Sequence, residues 1–194
     1  MTGCVILAAG AGTRLGGVAK ALLGVTSSRS ATSGLESSQA TSPRTFLAQI
    51  IATAQADDVV VVVGPPFGDA VAAEAARLGA RVVVNPAPAR GMASSIALGF
   101  AAVRGDAAWL WPVDHPHIQA ATLAALAAAL PGHDVARPRH HGRGGHPPLV
   151  AARVWPALVA MTTTARDVFA TVDVCDVEVD DPGCVRDIDT PEDL

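Results

Sequence analysis

The sequence predicts an α/β protein built on a mainly parallel sheet, and three observations lead there. Strand-like and helix-like runs alternate along most of the 194 residues. Val59 to Val63 is an unbroken valine run stopped by Gly64-Pro65-Pro66, and its lack of alternation marks a strand covered on both faces. Half of the residues are hydrophobic and only 16% are charged, so there is enough apolar surface to cover such a sheet twice. The length suits a single domain spanning residues 1–194.

The elements follow in chain order. Residues 4–7 read as a strand. Residues 45–56 read as a helix, with Phe46, Leu47, Ile50 and Ile51 at helical spacing. After the valine strand, residues 68–78 form an Ala-rich helix closed by Gly79. Residues 82–84 make a strand, 92–103 a helix, 107–111 a strand, and 120–130 an Ala/Leu helix ended by Pro131-Gly132. Residues 172–179 alternate apolar and acidic side chains, as a strand with one wet face does. Residues 26–43 break the pattern. Ten of the eighteen are Ser or Thr, which predicts a surface loop or a flexible insertion.

Composition narrows the function. The net charge of -4 argues against a nucleic-acid-binding domain, which would carry a basic patch. Cys4, Cys175 and Cys184 form no CxxC pair and no zinc spacing, and sparse cysteines suit a reducing compartment. No basic leader with an apolar run opens the chain, and no stretch of about 18 apolar residues could cross a membrane. The expectation is a soluble cytoplasmic protein with neither nucleic acid nor membrane as a partner.

The stretch with most chemistry is Val5 to Lys20, VILAAGAGTRLGGVAK. Gly10, Gly12, Gly16 and Gly17 fall within eight residues, followed or interleaved by Arg14 and Lys20. Glycines let the backbone approach a ligand closely, and successive amide N–H groups can then face phosphate oxygens. A P-loop is excluded because no Gly-Lys pair is present. The dinucleotide fingerprint is excluded because Leu15 stands where its third glycine belongs. From spacing alone, a phosphate cradle and a plain Gly-rich turn with solvent-facing cations both remain open.

LAAGxGTRLGxxxK resembles the signature of the GT-A-like nucleotidyltransferase superfamily, and most closely its MobA/MocA-like branch. That superfamily includes sugar-1-phosphate nucleotidyltransferases and the molybdenum-cofactor cytidylyl- and guanylyltransferases. The resemblance implies a three-layer α/β/α, Rossmann-like sheet of the nucleotide-diphospho-sugar transferase type. It also implies that Leu7, Ala8, Ala9, Gly10, Gly12 and Thr13 hold the base and phosphates. Arg14 would neutralise the β and γ phosphates, and Lys20 would bridge to the α phosphate. In the cofactor enzymes LAGG leans to guanine and LAAG to cytosine, so Ala9 favours CTP.

Later motifs extend the resemblance. Asp114, in Trp111-Pro112-Val113-Asp114-His115-Pro116, follows a strand at the position where open α/β sheets place ligands. By itself it reads equally as a turn-former. Magnesium usually takes one or two carboxylates plus substrate phosphates, a role that suits Asp114. The relatives carry Asp-Gln-Pro where this chain has Asp-His-Pro, which sets His115 apart. The closing Asp187-Ile188-Asp189-Thr190-Pro191-Glu192-Asp193-Leu194 reads locally as a helix start. It also resembles the family's closing motif, which implies that Asp189 completes the metal site, with Asp187 as second choice. Relatives run on into a helix here, so the expectation is a looser hold on Asp189.

Asn85-Pro86 through Gly91-Met92-Ala93-Ser94-Ser95 resembles a further nucleotide-side element, with Asn85, Gly91 and Ser95 as candidates. Physically, Ser94 or Ser95 could instead cap the helix that Gly91 opens. Gly142 to Pro148 resembles the G-x-x-G-H-P element near the acceptor, which assigns Gly145 and His146 there together with His115. Arg137, Arg139, His140, His141 and Arg143 make this the most cationic stretch, which would suit a phosphate-bearing acceptor or form a solvated loop. In Thr162-Thr163-Thr164-Ala165-Arg166 only Ala165-Arg166 match the family's acceptor-side element. The resulting expectation is a Mg2+-dependent nucleotidyltransferase with Arg14, Lys20 and Asp114 as catalytic residues. It would move CMP from CTP to a phosphorylated acceptor such as molybdopterin, with a molybdoenzyme or its maturation factor as a protein partner. The alternatives are a sugar-1-phosphate nucleotidyltransferase using UTP or dTTP, and a nucleotide-binding regulatory protein without turnover.

Overall fold

Alternation of side chains along the strands decides the layering. In a computed structural model describing residues 1–10, 12, 15–25 and 44–194, β1 (Thr2–Leu7) sends Cys4 and Ile6 to one face and Val5 and Leu7 to the other. β2 (Asp58–Val63) does the same, with Val61 and Val63 opposite Val60 and Val62. Both faces are therefore apolar, and each is covered by helices. On one face lie α1 (Phe46–Ala54), α2 (Gly68–Arg77) and α4 (Ala120–Ala129), through Leu47, Ile50, Val71, Ala75, Leu123 and Leu126. On the other lie α3 (Met92–Ala102), α5 (Trp155–Ala160) and α6 (Ala165–Phe169), through Ile96, Phe100, Leu158 and Phe169. The three layers are those expected.

The remaining strands are β3 (Arg81–Val84), β4 (Ala107–Pro112), β5 (Val135–His140), β6 (Arg143–Gly144), β7 (Leu149–Ala151) and β8 (Val174–Glu178). They order as β3-β2-β1-β4-β7-β5-β6, with β8 beside β5. The pairs β3–β2, β2–β1, β1–β4 and β5–β8 are parallel, whereas β7 runs antiparallel to both β4 and β5. The sheet is thus mostly parallel with an antiparallel insert. Among the described residues no helix is long and apolar enough to cross a membrane.

Local chemistry explains the element ends. Thr45 caps α1 by accepting from Ala48 N at 3.1 Å. Gly79 at φ +77 closes α2, as its position after the Ala-rich run predicts. The 120–130 helix starts without a cap from its own side chains, because Asp181 supplies one from after β8. This buried carboxylate accepts from Gln119 N at 2.9 Å, Thr122 Oγ1 at 2.7 Å and Gly183 N at 3.0 Å.

Two points are sharpened. Of the two readings of the cationic stretch, the solvated loop falls away for Arg137 and Arg139: they stand on β5, where both guanidinium groups pair with Asp176 of β8. His141 and Gly142, both at positive φ, make the two-residue turn between β5 and β6. Pro138 and the arginines hid this strand, because proline within a run argues against a central strand. The 172–179 strand is shorter, Val174–Glu178. The Ser/Thr-rich segment 26–43 lies outside the described residues.

Asp181→Ala leaves several donors unsatisfied around the start of α4, which costs about 2–4 kcal/mol. Thermal unfolding should fall by roughly 5–10 °C at this chain length. A drop below about 2 °C would mean that the carboxylate does not hold α4 to the segment after β8.

Candidate active site

The site sits where β1 and β4 end side by side. They are parallel and in register from Thr2↔Ala107 to Leu7↔Pro112, so the residues just beyond each strand meet above the same sheet edge. Beyond β1 comes the Gly-rich turn. Gly12, at φ +56, accepts from both Leu15 N and Gly17 N at 3.0 Å, which folds the turn back on itself. A Cβ on Gly12 would lie 2.0 Å from the Val18 carbonyl oxygen, so only glycine fits there. Lys20 then opens a single 3-10 turn, Lys20–Leu22, anchored by buried Ala21. Thr13 and Arg14, both assigned to this loop by sequence, lie outside the described residues.

Beyond β4, Val113 N donates to the Leu7 carbonyl at 3.2 Å and turns Asp114 towards the loop. Trp111, wholly buried, donates its indole N–H to the His115 carbonyl at 2.9 Å and fixes the turn from below. The third strand of chain is the C-terminal segment. Ile188 is buried, and its N–H donates to the Asp114 carbonyl at 2.9 Å. Asp193 then receives Asp189 N at 3.0 Å, Thr190 N at 2.8 Å and Thr190 Oγ1 at 3.0 Å. These donors hold its carboxyl below the usual carboxylate range. The expected looseness of Asp189 is thus countered within the last eight residues: a capping box grips its backbone, and buried Ile188 ties it to Asp114.

The three elements bring one ammonium against two carboxylates. Lys20 Nζ lies 3.3 Å from Asp114 Oδ2 and hydrogen-bonds Asp189 Oδ1. The side chains are partly exposed, 15% for Lys20 and 26% for each acid, so the group opens into a cleft. The cleft has a volume of about 390 Å³. Leu7, Ala8, Ala9, Gly10 and Gly12 form one wall of it, Gly91 and Ser95 another, and Asp114 and Asp189 the end. Sequence-assigned residues from four separated stretches therefore share one cavity.

Asn85 does not line this cavity. It is buried behind the wall and donates from Nδ2 to Ser94 Oγ and Ser95 Oγ, each at 2.9 Å. It positions Ser95 rather than touching the cleft itself. Neither serine caps α3 by accepting from its first N–H groups; Gly91 stands at the N-cap, and Ser94 donates to the Gly91 carbonyl at 2.8 Å. The start of α3 therefore faces the cleft with no side-chain cap, where an anion is favoured.

A divalent ion fits the acidic end. Asp114 Oδ1 is buried and has no hydrogen bond, with His115 Nε2 4.0 Å away, and as a hard oxygen donor it suits such an ion. Asp189 adds a second carboxylate. Among the described residues no third His, Cys, Asp or Glu joins them, so the remaining ligands would be water and substrate oxygens.

A second groove of about 920 Å³ adjoins the cleft and shares Leu7, Gly91, Met92 and Pro112 with it. Its lining is apolar at Phe169, Val172 and Val174, and four arginines line it too, Arg90, Arg137, Arg139 and Arg166. Gly145 and His146 line it. A Cβ on Gly145 would meet the Cys184 carbonyl oxygen at 2.3 Å, so glycine here lets the segment lie against the Pro182–Val185 turn. His115 lines neither cavity; it is buried beneath His146, ring centroids 4.9 Å apart. Sequence reasoning did not single out Arg90, Asp181 or Asp193 for these roles. Asp193 followed by three positions the Thr190 cap, the spacing of a capping box, and that signal could have identified it.

Burial first, and then the charge of neighbouring His115, pushes the His146 imidazole down to about 4. The unfolded chain takes up this proton near pH 6.5, whereas the folded chain refuses it until about 4. The folded state is therefore fully favoured above pH 6.5 and loses stability as pH falls towards 4, by on the order of 3 kcal/mol. Urea unfolding of the protein between pH 7.5 and 4.5 should show this decline, and His146→Asn should flatten it. An equal slope in both proteins would contradict the assignment to His146.

Residues 4–174 match the model of the MobA-like NTP transferase domain. No curated protein matches the chain. Among solved structures, Rv0371c from Mycobacterium tuberculosis H37Rv is similar at 27% identity and TM-score 0.75, covering 100% of this chain and 95% of that one. A manganese complex of the same protein aligns at 22% identity and TM-score 0.68, over 99% and 95% of the two chains. Mth528, a nucleotidyl transferase from Methanothermobacter thermautotroptrophicus, shares the fold at TM-score 0.77 and 20% identity, over 100% and 94%. So does molybdopterin-guanine dinucleotide biosynthesis protein A from Archaeoglobus fulgidus, at TM-score 0.64 and 15% identity, over 98% and 94%.

Proposed function

The chain belongs to the MobA-like NTP transferase domain family, and from that premise we propose that it is a divalent-metal-dependent nucleotidyltransferase moving CMP from CTP to a phosphorylated acceptor of the molybdopterin type. The observation that carries this reading is the placement of Lys20 between Asp114 and Asp189 at the end of a glycine-walled cleft. Such a cleft offers backbone N–H groups, one movable cation and two hard oxygen donors to a triphosphate.

The chemistry asked of these residues is modest. An acceptor phosphate oxygen attacks the α phosphorus in line; the new O–P bond forms as the bond to the β-phosphate oxygen breaks, and pyrophosphate leaves. Positioning and charge neutralisation supply most of the acceleration in phosphoryl and nucleotidyl transfers. The glycine wall and the open start of α3 orient the nucleotide. Lys20 offsets charge that grows on the phosphates. Asp114 and Asp189 would hold a Mg2+ or Mn2+ ion, which supplies Lewis-acid polarisation of the α phosphate. The manganese complex of Rv0371c supports a divalent ion, because that protein is similar along nearly its whole length.

The base and the acceptor rest on finer grounds. Ala9 in the glycine wall supports cytosine through the LAAG pattern. The adjoining groove, with an apolar part and four arginines in its lining, suits an acceptor with a flat ring body and a phosphate. The Archaeoglobus protein is named for a guanine dinucleotide, which makes GTP the comparison arm.

Pyrophosphate release should be measured with each NTP, Mg2+ and molybdopterin, and with UTP or dTTP plus a hexose 1-phosphate. The reading predicts turnover with CTP and molybdopterin, and a loss of about 100-fold or more in kcat for Asp189→Asn. Preference for GTP would move the base assignment, turnover of the sugar phosphate would replace the acceptor, and no release with any pair would sink the enzymatic reading.

A further inference from the structure

Lys20 is the only lysine in the chain; the other thirteen basic side chains among the fourteen Lys and Arg are arginines. The composition therefore uses arginine for ion pairs nearly everywhere, including the bidentate pairs Arg81–Asp58 and Arg137–Asp176. The one ammonium stands where, among the described residues, a cation bridges two acids from separate parts of the chain. The difference is physical. A guanidinium locks onto a carboxylate as a planar fork, whereas an ammonium is a compact point charge on a flexible stem that can exchange one anion for another.

Its position is also the one that a divalent ion would need. Lys20 Nζ touches Asp114 Oδ2 and Asp189 Oδ1 together, while Asp114 Oδ1 is buried without a hydrogen bond, with His115 Nε2 4.0 Å from it. An ion bound between both acids would meet the ammonium at close range, cation against cation. The two cannot share that place. A nucleotide triphosphate in the cleft gives the ammonium a second set of anions within reach of its stem, since Lys20 lines the same cavity as Gly10, Gly12 and Ser95.

We propose that Lys20 is a resident cation: its ammonium holds the position between Asp114 and Asp189 until a divalent ion enters, and it then moves to the triphosphate. In the nucleotide-free protein it keeps the two acids from repelling one another and so preserves the geometry between β4 and the C-terminal segment. With nucleotide present, its departure opens the metal position, so metal and nucleotide favour each other's binding by linkage. Metal offered alone competes with a tethered ammonium and binds weakly. This inference rests on the nucleotidyltransferase reading only for the destination of the ammonium; the competition with metal needs no nucleotide.

The test uses the intact chain and the metal alone, so that it does not depend on finding the substrate. Mn2+ binding is titrated by electron paramagnetic resonance without nucleotide. Lys20→Met should bind Mn2+ at least tenfold more tightly than the unaltered protein, and Lys20→Met combined with Asp114→Asn should lose that gain. Equal affinity in the unaltered protein and Lys20→Met would overturn the proposal, as would a gain that survives Asp114→Asn. A second measurement needs no variant. A single lysine gives a single 15N-labelled Nζ resonance, which can be followed while Mg2+ is added. The proposal requires that resonance to shift with the same midpoint as metal binding; metal bound with the resonance unmoved would overturn it. If the metal results hold and pyrophosphate release fails with every NTP, the functional reading falls while the exchange of cations stands.

Discussion

One interaction organises the site: a single ammonium held between two carboxylates that lie 94 and 169 residues away along the chain. Two acids at close range repel by roughly 4 kcal/mol at 4 Å in surroundings with an effective dielectric of about 20. A cation between them offsets that repulsion. With one, they become a fixed end wall for the cleft. The fold makes this meeting possible because β1 lies directly between β2 and β4, so the loop after β1 and the turn after β4 emerge side by side.

Around that ion pair, each participant is held by a separate device. Lys20 is anchored by buried Ala21 in a single 3-10 turn. Asp114 is set by the backbone bond from Val113 to Leu7 and by the Trp111 indole beneath it. Asp189 is set from both sides, by the Ile188 bond to the Asp114 carbonyl and by the Asp193 capping box. The acids therefore need little rearrangement to accept a metal, and the movable member of the group is the lysine. The neighbouring groove is stiffened in another way: Asp181 joins the start of α4 to the Pro182–Val185 turn, against which Gly145 and His146 lie.

Much of this was legible in the residues. β1, β2 and β4 are buried on both faces, and continuous apolar runs such as Val59 to Val63 carry that information directly. That the glycine wall, Lys20, Asp114 and Asp189 would share one cavity was readable from residue types suited to phosphate and metal and from motifs that resemble a known family. β5 was not legible. Its Val-Ala-Arg-Pro-Arg-His sequence carries charge and proline, and it joins the sheet through pairing with β7 and β8, with Asp176 on β8 pairing both of its arginines. Nor was the work of Asp181, which caps a helix about 60 residues earlier in the chain. Asn85 was assigned to the nucleotide, whereas its buried amide holds Ser94 and Ser95. Such contacts exist only after the sheet has formed, so no local pattern encodes them.

The central claim is that the glycine wall, Lys20 and the two acids form one nucleotide–metal site. A crystal structure with CTP and Mn2+, with the metal located by its anomalous scattering, tests it most directly. The account predicts manganese bound by Asp114 and Asp189, the triphosphate along Gly10 and Gly12, and Lys20 Nζ on phosphate oxygens rather than on the acids. Manganese elsewhere, or a triphosphate outside this cleft, would contradict it.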